Sequence, residues 1–256
     1  MLLTIDVGNT NITIGVYKDG KIAAHFRLST VRERARDEYG IMFLSFLQSR
    51  DIKPSDISAV VIASVVPQVM YSLERAVKKY IGIDPIVVDS TSPLGMKILI
   101  DNPKELGADR IVNAYAAKKI YGAPIVIVDF GTATTFCAIN RDGEYLGGAI
   151  CPGIRISVDA LFAKTSKLPQ VEILATDKVI GKNTVESMQS GVFHGYVGQV
   201  NYLAGRMKEE LREPDAKVIA TGGLANMISQ ATDIFYDVNM DLTLEGLKMI
   251  YNDIYK

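Results

Sequence analysis

Cysteine and histidine are scarce in this chain, with two of each among 256 residues, and neither type is grouped. Cys137 and Cys151 lie in separate apolar runs and read as core residues, so a disulfide framework is not expected. His25 and His194 are isolated, which leaves no zinc-like spacing. The formal net charge is −1, so there is no basic surplus of the kind that marks a nucleic-acid binder. No apolar run approaches the roughly 20 residues needed to span a bilayer. The first apolar run breaks at Asp6, so no secretory leader is expected either. A reduced, cytoplasmic protein without nucleic-acid or membrane partners follows as the expectation. A Gly-x-x-x-x-Gly-Lys-Ser/Thr loop is also missing, which excludes the P-loop way of holding phosphate.

What the chain does have is one stretch that occurs twice. Asp6-Val7-Gly8-Asn9-Thr10-Asn11 opens an apolar run and closes on Asp19-Gly20; Asp129-Phe130-Gly131-Thr132-Ala133-Thr134-Thr135 does the same and closes on Asp142-Gly143. The spacing from first aspartate to turn glycine is the same in both, so the chain reads as a duplicated β-hairpin unit. In each copy a short apolar strand delivers a carboxylate and then a loop of glycine and hydroxyl residues. A loop free of bulky side chains lets backbone N–H groups and hydroxyls close around phosphate oxygens. Asp-Gly between apolar strands is a strong hairpin signal.

The order of elements supports the duplication. Strands at Leu2 to Ile5, Ile12 to Tyr17 and Lys21 to Leu28 form a meander. A charged connector leads to a helix around Tyr39 to Gln48, then come a strand at Ala59 to Ala63, an amphipathic helix ending near Tyr80 and a strand at Pro85 to Val88. After a helix from Glu105 to Ile120 the plan repeats: strands at Ile125 to Val128, Thr134 to Ile139 and Tyr145 to Ile150, helices around Ile154 to Phe162 and Thr184 to Leu211, and a strand at Lys217 to Ala220. Val61-Ile62-Ala63-Ser64 aligns with Val218-Ile219-Ala220-Thr221, and a helix from Leu242 to Tyr255 closes the chain. The expected architecture is a duplicated α/β fold of two domains, 1–117 and 118–256, with a cleft between them.

The residues carry a family resemblance over essentially the whole chain. Two Asp-x-Gly loops on tandem domains resemble the superfamily of sugar and acetate kinases, Hsp70 and actin, whose domains are ribonuclease-H-like. Within it, Asp6 to Thr10, Asn102-Pro103 leading into Gly107-Ala108-Asp109-Arg110, Asp129 to Thr135, Gly147 to Gly153 and Gly181-Lys182-Asn183-Thr184 resemble type III pantothenate kinase. Each motif alone is weak, whereas their ordered combination is specific. The resemblance implies phosphorylation of pantothenate by ATP, the first step of coenzyme A biosynthesis. A nucleotide-binding regulator or an exopolyphosphatase-like hydrolase of the same superfamily is the alternative.

Phosphoryl transfer asks the protein to cradle phosphates, neutralise charge and position the acceptor. Asp6 reads either as a turn-capping aspartate or as a carboxylate placed to hold Mg²⁺, directly or through its waters, while Val7, Gly8, Asn9, Thr10, Asn11, Ile12 and Thr13 would wrap the ATP phosphates. From residues alone the Asp109–Arg110 pair reads equally as a surface ion pair, a helix cap, or an ionised base beside a cation. The resemblance makes Asp109 the general base and puts pantothenate against Gly107, Ala108, Asp109 and Arg110. It also implies a monovalent cation, K⁺ or NH₄⁺, at Asp129, an ATP contact from Thr132, a pantothenate contact from Thr184, and an adenine-side loop at Thr221-Gly222-Gly223. At the start of a helix, Thr184 reads independently as an N-cap. One departure is Ile100, where members often carry tyrosine before Asp-Asn-Pro. Tyr196 and Tyr202 read as packing residues. Gly191, Gly195 and Gly198 lie on one face of their helix and either pack on this chain's own sheet or meet a second copy; the resemblance favours a homodimer.

Overall fold

The computed structural model describes all residues, Met1–Lys256. It divides into two compact units: Met1–Gly95 with Asn102–Ala116 and Leu242–Lys256, and Met96–Asp101 with Ala117–Asp241.

In the first unit β1 (Leu2–Val7), β2 (Asn11–Lys18) and β3 (Lys21–Ser29) form an antiparallel meander, as the Asp19-Gly20 turn requires. β4 (Ala59–Ser64) then pairs parallel to β1, and β5 (Ile86–Val88) parallel to β4, giving the order β3-β2-β1-β4-β5. The parallel additions need crossovers, supplied by α1 (Arg36–Gln48) and α2 (Pro67–Tyr80). Strand residues alternate between faces. Leu3, Ile5 and Val7 join Tyr39, Phe43, Leu73 and Val77 in the core under α1 and α2. Leu2, Val61 and Ala63 face the other way, into a second core. Asp6 shares that second face by the same alternation.

That face is covered by α3 (Ala108–Tyr121), through Ala108, Val112 and Tyr115, and by α7 (Leu242–Ile250), through Leu244, Leu247 and Ile250. Hydrogen bonds from Thr243 to Asn113 (2.8 Å) and from Tyr115 to Asp253 (2.7 Å) fix the chain end there. A cut at residue 117 that assigns the last helix to the second half therefore needs correction. The reason is physical: an apolar sheet face must be covered, and α7 brings the cover that α3 alone does not.

The second unit repeats the plan with β6 (Ile125–Phe130), β7 (Ala133–Ile139) and β8 (Tyr145–Pro152) as the meander and β9 (Lys217–Thr221) and β10 (Asp237–Val238) as the parallel strands. The order β10-β9-β6-β7-β8 is that of the first sheet. Val126, Val128, Phe130 and Phe136 pack against Phe193, Tyr196 and Val200 of α5 (Thr184–Leu211) and Ile154 of α4 (Ile154–Ala163). The short α6 (Ala225–Ser229) and two-residue β10 carry no period long enough to read from sequence. No helix is long and apolar enough to cross a membrane.

The ladders correct one detail of the internal alignment. Asp6 lies opposite Ala63 and Asp129 opposite Thr221, so the fold equates Ala63 with Thr221 and Ser64 with Gly222. Matching the strings Val-Ile-Ala-Ser and Val-Ile-Ala-Thr is one residue out, because hydrogen-bond register and not residue likeness defines equivalent positions.

Candidate active site

In the first unit Asp6 is the penultimate residue of β1, flanked by Thr13 on β2 and Ala63 on β4. The loop that follows is closed by its own backbone, Gly8 N–H donating to Asn11 O at 2.9 Å. Thr30, unremarked in the sequence, holds it from behind: its hydroxyl donates to Gly8 O at 2.6 Å and its N–H to Thr10 O at 2.9 Å. The signal was present, since a hairpin must return the end of β3 beside the start of β2. Asn9, Thr10 and Asn11 are exposed, so the loop is open to a ligand.

Gly107 to Arg110 belongs to the same end of this unit. Val65 N–H, just past β4, donates to Val7 O at 3.0 Å, and a Cβ on Gly107 would lie 3.3 Å from Val65 Cγ1. The same Cβ would come within 2.5 Å of Asp109 Oδ1, so the carboxylate folds back over Gly107 and needs glycine there. Arg110 N–H donates to that Oδ1 at 2.7 Å. Burial pushes the Asp109 pKa up, and the Arg110 N–H and guanidinium only partly offset it. The sequence reading has this carboxylate ionised beside its arginine; in the structure desolvation outweighs the pairing, so the carboxylate is more basic than an ordinary aspartate.

In the second unit Asp129 stands in the same place on β6, but between two threonines, Thr135 on β7 and Thr221 on β9. Gly222, at φ +89°, passes so close that a Cβ would lie 2.5 Å from Asp129 Oδ1. Thr132 is exposed in the adjoining loop. A Cβ on Gly153, the residue before α4, would collide with Thr132 O, so Pro152-Gly153 forms the wall of this loop.

The start of α5 differs from expectation. Asn183 is the N-cap, accepting from Glu186 N–H at 2.9 Å, while Glu186 accepts from Asn183 and Lys182. Capping therefore does not occupy the Thr184 hydroxyl, which lines a cavity of about 730 Å³ with Ser157, Ser187, Tyr196 and Gln199. Gln199 Oε1 is buried there without a hydrogen-bond partner. A Cβ added to Gly191, Gly195 or Gly198 would meet nothing within 4 Å, so these glycines do not pack on this chain's own sheet. Tyr196 is buried as expected, whereas Tyr202 is 68% exposed on the same outer face of α5 and does not pack.

The residues suit hard cations better than soft ones. No group of three His, Cys, Asp or Glu side chains gathers anywhere, which removes a zinc-type cage. A lone carboxylate such as Asp6, at the end of a strand beside an exposed loop, is a donor of the kind Mg²⁺ takes, since that ion binds through one or two carboxylates, water and substrate phosphates. Asp129, between Thr135 and Thr221 of the neighbouring strands, offers the hard oxygen donors that a monovalent cation takes.

The comparisons with known proteins now decide the family. The family model for type III pantothenate kinase matches residues 2–206. The chain belongs to the type III pantothenate kinase family. It is accordingly an ATP-dependent kinase of the pantothenate kinase class. Solved structures agree on the fold. A Campylobacter jejuni protein assigned to the Baf family of transcriptional activators is 21% identical, with 98% of each chain covered and a TM-score of 0.62. A Sinorhizobium meliloti protein assigned as a 2-dehydro-3-deoxygalactonokinase is 9% identical, covering 100% of this chain and 97% of its own, with a TM-score of 0.61. Component A of (R)-2-hydroxyglutaryl-CoA dehydratase from Acidaminococcus fermentans is 14% identical, covering 96% and 94%, with a TM-score of 0.55. The fold is the duplicated, actin-like α/β fold expected of this kinase family.

Proposed function

We propose that the protein transfers the γ-phosphoryl group of ATP to pantothenate, giving 4′-phosphopantothenate in the first step of coenzyme A biosynthesis. The observation that carries this reading is the match of residues 2–206 to the type III pantothenate kinase family, with the Asp109 carboxylate held over Gly107 beside the end of β1 as the candidate base. Asp109 takes the proton of the acceptor hydroxyl as that oxygen bonds to the γ-phosphorus. The bond to the bridging oxygen breaks and ADP leaves. Arg110 holds acceptor polar groups or phosphate charge. Gly107, Ala108 and Thr184 complete the pantothenate contacts.

Val7 to Thr13 wrap the nucleotide phosphates, with Asp6 holding Mg²⁺ directly or through water. Thr132 contacts ATP, and Asp129 holds K⁺ or NH₄⁺. Bound cations supply positive charge against the phosphates. The enzyme acts as a cytoplasmic homodimer joined through the outer face of α5. The open glycines at 191, 195 and 198 support that reading, because a strip without side chains lets another helix approach closely.

ADP formation measured with ATP plus pantothenate, against ATP alone, tests the whole proposal. ADP should appear only with both substrates, and 4′-phosphopantothenate in equal amount. ATP turnover indifferent to pantothenate would instead favour a hydrolase, and nucleotide binding with no turnover in either tube a regulator.

A further inference from the structure

We propose that Tyr196 is a positioning residue for the nucleotide loop at Gly131–Thr132, acting through the Pro152-Gly153 wall. The Tyr196 hydroxyl donates to Pro152 O at 2.8 Å and lies 2.6 Å from Ser157 Oγ. A hydroxyl has one proton, so Tyr196 spends it on the carbonyl and Ser157 is the donor to Tyr196. Ser157 N–H in turn donates to Gly153 O at 3.0 Å. The two residues of the wall are thus held from α5 and from the first turn of α4, one carbonyl each. Gly153 is buried, and its Cα lies so near the carbonyls of Gly131 and Thr132 that no side chain fits between. A shift of Pro152-Gly153 of a few tenths of an ångström must therefore move the loop. Tyr196 belongs to the same buried core cluster as Phe193, Val200 and Ile154, which anchors the residue that carries the hydroxyl.

The inference rests on the reading of Gly131–Thr132 as an ATP-phosphate loop, and its test separates the two. The variants Tyr196→Phe, Ser157→Ala, Thr132→Ala and Val200→Ala are compared with wild type for KM of ATP, KM of pantothenate, kcat and Tm. Val200→Ala serves as a packing control on the same helix, outside the hydroxyl chain. Tyr196→Phe should raise the KM for ATP about threefold to tenfold, the range set by losing one buried hydrogen bond, with kcat within about twofold. Ser157→Ala should move the same constant less, and Ser157→Thr, which keeps the hydroxyl, should restore it. Val200→Ala should lower Tm without moving the KM for ATP.

A Tyr196→Phe shift no larger than that of Val200→Ala, or one confined to pantothenate, overturns the inference. If Thr132→Ala raises the KM for ATP and Tyr196→Phe does not, the loop reading stands and the positioning role falls. If neither moves it, the loop reading fails and takes the inference with it. Should Tyr196→Phe not fold, the Ser157→Ala and Ser157→Thr pair decides the same question.

Discussion

The two units share a strand order and a carboxylate at the same point of the first strand, yet they surround that carboxylate differently. Asp6 has Thr13 on one side and Ala63 on the other; Asp129 has Thr135 and Thr221. Past the parallel neighbour, the first unit places Ser64 and the second Gly222, whose left-handed backbone presses on Asp129. Only the first unit adds a second, desolvated carboxylate, Asp109, near the end of its first strand. One duplicated scaffold thus carries a second, desolvated carboxylate in one half and, in the other, an aspartate set between two threonines and against a glycine backbone. Fold repeats through strand pattern, whereas chemistry depends on what stands one residue away.

The sharpest way to break this comparison is Asp109→Asn. It should lower kcat by on the order of 10²–10⁴ while ATP affinity stays within about threefold. The wild-type kcat should fall as pH drops through a value above the ordinary 3.8, because the base must be ionised. Stability has the opposite sign. A raised pKa stabilises the fold below the ordinary carboxylate value and loses that contribution as pH rises through the folded value. At pH 7 the Asn variant should therefore melt no lower than wild type, and a lower Tm, or kcat within twofold, would refute the role.

Next in size, Asp6→Asn should cost on the order of 10² in kcat/KM for ATP, by analogy with loss of one charge-stabilising group, and should raise the Mg²⁺ requirement. Asp129→Asn should instead blunt stimulation by K⁺ or NH₄⁺. Identical cation profiles for the two variants, or wild-type activity undiminished in Na⁺-only buffer, would erase the distinction between the halves.

A matched pair sharpens it further. Gly222→Ala forces a Cβ onto Asp129 at a positive φ and should cost about 1–3 kcal/mol of stability together with cation response. Ser64→Ala, at the equivalent place in the other unit, should stay within about 1 kcal/mol, since it loses one hydrogen bond from Val66 N–H. Chemical denaturation of both measures the contrast. Smallest, Gly195→Leu should shift sedimentation toward monomer and raise the KM for pantothenate a fewfold more than that for ATP. A monomeric, fully active wild type at micromolar concentration would remove the dimer.

Much of the molecule is written locally. The apolar runs Leu2 to Ile5 and Ile125 to Val128, the Asp-Gly turns at 19–20 and 142–143, and the segment Thr184 to Leu211 read as strands, hairpins and a long helix, all of which the structure contains. The repeated Asp-x-Gly loops and Gly107-Ala108-Asp109-Arg110 were legible as candidate sites for the same reason, since turn chemistry acts over a few residues. Only tertiary structure decided that Thr221, and not Ala220, stands beside Asp129, that α7 returns to the first sheet, that Asn183 frees Thr184 from capping, and that Asp109 is shifted up. Ladder register, coverage of a sheet face and desolvation are sums over residues far apart in the chain, and no local window contains them.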